Sequence, residues 1–360
     1  MSTRTARGGA AGAVRSAVVG AAVARLSYSI LRARPPGGTA KWTRTNHRGE
    51  PVTLLEGPAV AIGGVAGALA AGGSSRDQLA MVVAGAGAAA FGGYDDLAGN
   101  GSNKGFRGHL GALRNGELTT GAVKLAGIGA VGLAAAVIAG DPADGAADRI
   151  VGRRAVTAAL ADTVINAGLI AGGANLLNLF DLRPGRAAKV ALIAGGLLAP
   201  AGTAASAAPL AAAAALLPED LGERAMLGDA GANALGAMLG TAAATSLPRP
   251  ARLAALGVIT GLTAASEVVS FTRVIERTGP LRWLDMLGRR GGAAAQSPAP
   301  AQQAPDSHAG SDGALAGSFA DAGNSDAGNR DGSNHDAGHS NSAPTVGKHR
   351  AGTLPSAEAR

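Results

Sequence analysis

The chain has 360 residues, 47% of them apolar but only 2% aromatic, with 57 glycines and a formal net charge of +7. A soluble core of ordinary density needs larger side chains than these, whereas in lipid Gly and Ala let helix backbones approach closely; genomic base composition is an equal explanation of the same richness. The absence of cysteine excludes disulfides, thiolate zinc sites and a cysteine nucleophile, and the Lys and Arg fall mostly between apolar segments, which argues for membrane orientation and against nucleic acid.

In chain order, about nine apolar segments cover residues 10–31, 52–73, 79–93, 121–140, 155–174, 187–201, 204–217, 225–247 and 251–269. Several are shorter than the ~20 residues of a perpendicular span, and their ends are defined to within a few residues. The expected architecture is therefore an all-α, polytopic membrane helical bundle of about nine transmembrane helices over residues 1–290. The first segment carries Arg15 and Arg25 and no clear small-residue cleavage site, and reads as an uncleaved span. With the N-terminus outside, the connections 32–51, 94–120, 175–186 and 218–224 and everything after residue 270 fall inside. Up to Arg290 these hold about twice the Lys and Arg of the outside connections, as the positive-inside rule asks. Residues 281–290 combine Leu281, Trp283, Leu284, Met286 and Leu287 with Arg282, Arg289 and Arg290, which suits either a short helix at an anionic membrane surface or a plain juxtamembrane stop. Residues 291–360, rich in Ala, Ser, Asp, Gly, Asn and His, are expected to form a disordered, low-complexity cytoplasmic tail.

Three polar islands interrupt the apolar pattern. Asp95 and Asp96 follow the third segment, and adjacent residues of a helix point about 100° apart, so the two acids face different partners. The run Asn175, Asn178, Asp181 repeats at intervals of three and occupies one face if the helix persists. Carboxamides there offer both donors and acceptors to a nucleobase or a sugar. Arg183 follows in a Pro-Gly turn and is suited to phosphate. Asp229, between Gly228 and Gly231, is either a helix cap or a ligand residue at a place of close approach. A carboxylate near hydrocarbon costs several kcal/mol unless it is paired, hydrated or metal-bound. The positive-inside orientation places all three islands on the cytoplasmic face, where a shared divalent-metal site accounts for them.

In these residues the chain resembles the polyprenyl-phosphate N-acetylhexosamine-1-phosphate transferases (glycosyltransferase family 4), which include phospho-N-acetylmuramoyl-pentapeptide transferase. Gly93-Tyr94-Asp95-Asp96 is similar to the Gly-Phe-x-Asp-Asp signature of that family, and Asn175 to Ala187 to its Asn-x-x-Asn-x-x-Asp-Gly-x-Asp-Gly-x-Ala run. Met226 to Gly231 is similar to its Met-Gly-Asp-x-Gly-Ser element, and the stretch from His47 to Pro51, with Gly57 and Gly63-Gly64, to its early His, Pro and Gly-Gly pattern. The resemblance implies a cell-membrane, multi-pass enzyme of envelope-glycan synthesis with its active face and C-terminus cytoplasmic. It implies UDP-sugar and polyprenyl phosphate as substrates, Mg²⁺ held by Asp229, and Asp95, Asp96 and Asp181 as catalytic acids. Asn175, Asn178, Arg183, His47 and Lys104 are the expected substrate contacts; a homodimer is one option for its assembly.

The chain departs from the family pattern at several places. Pro184 stands where the second acid of the Asp-Gly-x-Asp run would be, Ala232 replaces a serine, and Lys104 is the next base after Asp96. The His-rich motif of the last cytoplasmic loop is missing. A catalytically weakened, lipid-binding scaffold or regulator is accordingly the alternative. A third reading, an ion-coupled transporter using Asp162 and Asn166 in the fifth segment, fits less well with acids gathered at one face.

Overall fold

The computed structural model describes residues 3–98, 119–140, 153–198 and 204–290, all within the first of the chain's two units, Met1–Ala295. The expected tail and Lys104 lie outside the described residues. The described part is helical. Its long elements are α1 (Thr3–Ala33), α3 (Glu56–Ala70), α4 (Ser75–Ala98), α5 (Thr120–Ala139), α6 (Arg153–Phe180), α7 (Arg186–Leu198), α8 (Ala207–Leu221), α9 (Gly228–Ser246) and α10 (Arg249–Ser266). The short helices are α2 (Thr39–Trp42), α11 (Phe271–Arg277) and α12 (Gly279–Met286).

The all-α expectation needs one local correction, because residues 52 and 53 do not begin a span. Pro51–Thr53 (β2) pairs antiparallel with Thr43–Thr45 (β1), placing Val52 opposite Arg44. Asn46 closes the hairpin, its side-chain oxygen accepting from the backbone N–H of Arg48 and of Glu50, each at 2.9 Å, and Gly49 supplies the positive φ of 81° that the turn needs. The run of Asn175 and Asn178 is helical, since α6 continues to Phe180 before a turn with positive φ at Gly185.

Helix α9 is the centre of the bundle and packs against α6, α4 and α3. Its residues from Ala230 to Ala244 are buried all round, so protein, not lipid, covers it. Small residues make this possible: a Cβ at Gly57 would strike the backbone of Leu227 and Gly231, and one at Gly236 the backbone of Gly173. Three helical stretches, Gly9–Ala33, Thr120–Ala139 and Val156–Phe180, are long and apolar enough to cross a membrane, and the pair α10 and α11, bent by 96°, makes a fourth if counted as one span.

Candidate functional site

The acid islands, far apart in the chain, meet at the N-terminus of α9. A helix N-terminus leaves backbone N–H groups without intrahelical partners and carries partial positive charge, so carboxylates are stabilised there. Asp96, at the end of α4, supplies both of its oxygens: Oδ1 accepts from the Asp229 N–H at 3.0 Å and Oδ2 from the Ala230 N–H at 2.9 Å. The Gly228 N–H faces Asp181. Asp229 is thus not the cap of its helix but the capped residue, and its side chain is released for other use. The approach is close: a Cβ at Gly92 would strike the Asp229 backbone, and Gly228 has φ 60° with the Asp96 carboxylate against its Cα. Arg44 donates to the Asp96 carbonyl, tying the hairpin to the same corner.

Lys124, in the first turns of α5, joins two of the islands. Its Nζ lies 2.8 Å from Asp95 Oδ2 and 2.6 Å from Asp229 Oδ2. Lys124 is the only charged residue between positions 121 and 140, and an ionisable residue inside an apolar segment is the signal that marks it. Two carboxylate oxygens, one from Asp95 and one from Asp229, converge on a point that an ammonium occupies. Mg²⁺ takes one or two carboxylates and completes its shell with water and phosphate oxygens, so the donor set fits it. Among the described residues no group of three or more acids or histidines is arranged to hold a metal unaided.

A second feature opens behind Asp181. A cavity of about 210 Å³ is lined by Asn46, His47, Asp181, Arg183, Asp220 and Glu223, with other residues. Glu223 sits at the positive φ of 56°, held by Arg48 at 3.1 Å and by the Asn46 amide at 3.0 Å. Such a backbone in a buried acid is stored strain at a ligand-sized opening. Asp181 and Asp220 lie past the apolar stretches that end at residues 174 and 217. Burial, with Asp220, Asp229 and Asp96 close by, raises the Asp181 carboxyl well above the usual range. Burial pushes Asp220 up to about 7 against the opposing pull of the Gly185 N–H, Lys189 and Arg289. Burial and the Arg183 charge hold the His47 imidazole below its ordinary value, so it is neutral at pH 7.

Of the expected site residues, Asp95, Asp96, Asp181 and Asp229 come together, and His47 and Arg183 share the cavity with Asp181. Arg183 also meets Glu276 at 3.6 Å. Asn175 and Asn178 are half-buried on α6, and neither lines that cavity. Asp220 and Glu56, both fully buried, are acids that no motif marks, although each interrupts or closes an apolar segment. Asp162 and Asn166 lie elsewhere: both bond Arg252, Asp162 at 3.3 Å and Asn166 at 2.7 Å.

Next to Asp181 an apolar groove of about 570 Å³ runs between α7, the end of α10, α11 and α12, with Phe180, Leu197, Leu262 and Ile275 in its walls. Phe180 stacks on Phe271 at 5.1 Å between ring centroids. No protein-family model and no curated protein matches the chain.

Proposed function

We propose that the chain is a polytopic membrane transferase of about nine spans that moves a sugar-1-phosphate from a UDP-N-acetylhexosamine to polyprenyl phosphate at the cytoplasmic face. The observation that carries this reading is the meeting of Asp95, Asp229 and Lys124 at one helix N-terminus, with the end of α6 bringing Asp181 to a cavity that His47 and Arg183 also line and Phe180 to an apolar groove. A water-soluble nucleotide donor and a lipid acceptor need a charged and an apolar site side by side.

In this reading Asp95 and Asp229 would hold Mg²⁺ together with substrate phosphates, and the ion, when bound, offsets charge on the transferring phosphoryl group. Lys124 keeps the two carboxylates together in the resting protein and, once displaced, offers its ammonium to a phosphate oxygen. Asp95 would also accept the proton of the acceptor phosphate. Asp96 holds the first turn of α9, and with it Asp229, in position. Arg183, in the lining of the cavity, would bind the donor diphosphate, and the groove past Phe180 would take the polyprenyl chain. The missing His-rich motif keeps a lipid-binding, non-catalytic role as the second reading.

The deciding experiment incubates the purified chain with radiolabelled UDP-N-acetylhexosamine, polyprenyl phosphate and Mg²⁺. Label should pass into the lipid fraction with release of UMP, and Asp229→Asn should remove about a hundredfold or more of the rate. Binding of polyprenyl phosphate without any transfer would replace the enzyme reading with the scaffold.

A further inference from the structure

Helix α12 has two apolar sides, and only one of them is covered. With about 100° between successive residues, Leu281, Leu284 and Asp285 fall on one side and line the groove, while Trp283 and Met286 fall on the other. Trp283 is 67% exposed, and Met286 and Leu287 are about half exposed. The preceding helix shows how this protein builds a water-facing exterior: α11 turns Phe271, Val274 and Ile275 to the groove and leaves Arg273, Glu276 and Arg277 outside. Trp283 and Met286 stand where α11 has charges. The place of α12 in the fold indicates what covers them. Helix α11 is bent by 96° from α10, so it runs across the axis of α10 and not on past its end, and Asp285, 2.7 Å from Arg186, holds α12 beside the first turn of α7. In a bundle that spans a membrane this is the level of the headgroups, where tryptophan, apolar in body and polar at its N–H, is favoured. Charge adds a second indication. Among the described residues Arg273, Arg277 and Arg282 are exposed and meet no carboxylate, whereas Glu276 is paired with Arg183 and Asp285 is buried in its own ion pairs. Arg282 also shares one shallow depression with Trp283, Met286 and Leu287.

We propose that the outer side of α12 is a docking surface for anionic phospholipid, with Trp283, Met286 and Leu287 entering the interface of the bilayer and Arg282 bonding a headgroup phosphate. An apolar patch alone suits any bilayer, but free guanidiniums beside it select negative charge, and the planar fork of arginine fits phosphate oxygens. The inference rests on the membrane-embedded part of the reading above and is independent of sugar transfer.

The test uses Trp283 itself, since the second of the chain's two tryptophans, Trp42, is buried. The full chain is placed in nanodiscs of lipids with brominated acyl chains, in which phosphatidylglycerol replaces phosphatidylcholine in steps, and Trp283→Phe supplies the Trp42 background. Emission from Trp283 should be quenched as phosphatidylglycerol rises. Arg282→Gln should raise the phosphatidylglycerol fraction needed for half of this quenching about fivefold, the effect of one arginine near an anionic surface, and high salt should act in the same direction. Quenching of Trp283 by aqueous acrylamide but not by the lipids would show that water covers this face. Protection from both quenchers would assign the face to a second copy of the chain, and equal quenching at every lipid composition would remove the preference for negative charge; each of these results overturns the proposal. One further variant separates its failure from that of the membrane reading. On the Trp283→Phe background, Val258→Trp, at a position 60% exposed on α10, should be quenched in either lipid. If it is not, the membrane-spanning bundle fails and the docking surface with it; if it is quenched and Trp283 is not, only the docking surface fails.

Discussion

Asp95 and Asp96 are neighbours in the chain but not in task, since the turn of a helix between them sends one carboxylate to Lys124 and the other to the backbone of α9. Removing Asp96 therefore exposes two N–H groups, and Asp96→Ala should cost about 1–2 kcal/mol of stability by loss of a cap. Asp95→Asn removes a charge facing the proposed reaction and should lower the transfer rate about a hundredfold with little change in melting temperature. Thermal unfolding and the transfer assay on both variants check this division; equal loss of stability in the two would refute it. The pair was legible in the sequence as an acid doublet at a helix end, but its division was not, because nothing in residues 93–98 tells which carboxylate faces the N-terminus of a helix more than a hundred positions away. Lys124 and Asp220 were missed for a related reason. Lys124 is a lone charge inside an apolar segment and Asp220 one of several charges in the connection after residue 217, and neither position shows its role until its partners are known.

At the scale of elements the helices follow the apolar segments closely, because in lipid each backbone must satisfy its own hydrogen bonds and segment and helix coincide. The exceptions are where side chains bond locally, as in the hairpin that Asn46 closes. How the helices touch was legible only as small-residue content, and the structure distinguishes glycines of the same apparent kind. Gly57 meets the backbone of α9, whereas a Cβ at Gly257 would meet nothing within 4 Å. Gly57→Ala should destabilise by about 1–3 kcal/mol through overpacking, and Gly257→Ala should be neutral or slightly stabilising through helix propensity. Denaturation of both in the same detergent compares them, and an equal effect would show that α3 and α9 can separate without cost. Helix α12 depends on charge instead. Asp285, 7% exposed, bonds Arg186 at 2.7 Å and Arg289 at 2.9 Å, and Lys189 donates to the carbonyls of Leu284 and Asp285. Burial raises the Asp285 carboxyl, but the Arg186 hydrogen bond and the Arg186, Arg289 and Lys189 charges outweigh it and hold it below the usual range. A depressed folded value means that the docking energy is complete above the ordinary aspartate value of about 3.9 and is lost as pH falls below it towards the folded value. Proteolysis after Arg282 or Arg290 should therefore be slow at pH 7 and accelerate below about pH 4 in the parent, while Asp285→Ala, which leaves two buried guanidiniums unpaired, should be fast at both.

At the scale of the molecule, three helices among the described residues pass as spans by length and composition, while about nine apolar segments are read from the sequence. The difference has a physical source. Helix α9 is enclosed by other helices and needs no lipid-facing leucines, so its Gly, Ala, Asp and Thr content lowers its hydropathy without removing it from the bundle. Contacts between ends give a better guide than hydropathy. The C-terminus of α4, the N-terminus of α5 and the N-terminus of α9 share one ion-pair cluster, and the C-terminus of α6 adjoins them through Asp181 and Gly228. A chain that crosses once per long helix brings these ends to one face, since an even number of crossings, none or two, lies between each of them and the next. On the proposed orientation that face is the cytoplasmic one. In a chain without native cysteine, single substitutions Ser102→Cys and Ser311→Cys should be shielded from an impermeant thiol reagent in intact cells, and Asp144→Cys should react. Labelling of Ser102→Cys from outside would put the acid cluster on the wrong side of the membrane for a cytoplasmic nucleotide, and with it the proposed chemistry would fail. Labelling of neither Ser102→Cys nor Asp144→Cys until the cells are permeabilised would instead mean that residues 121–174 do not cross as a pair.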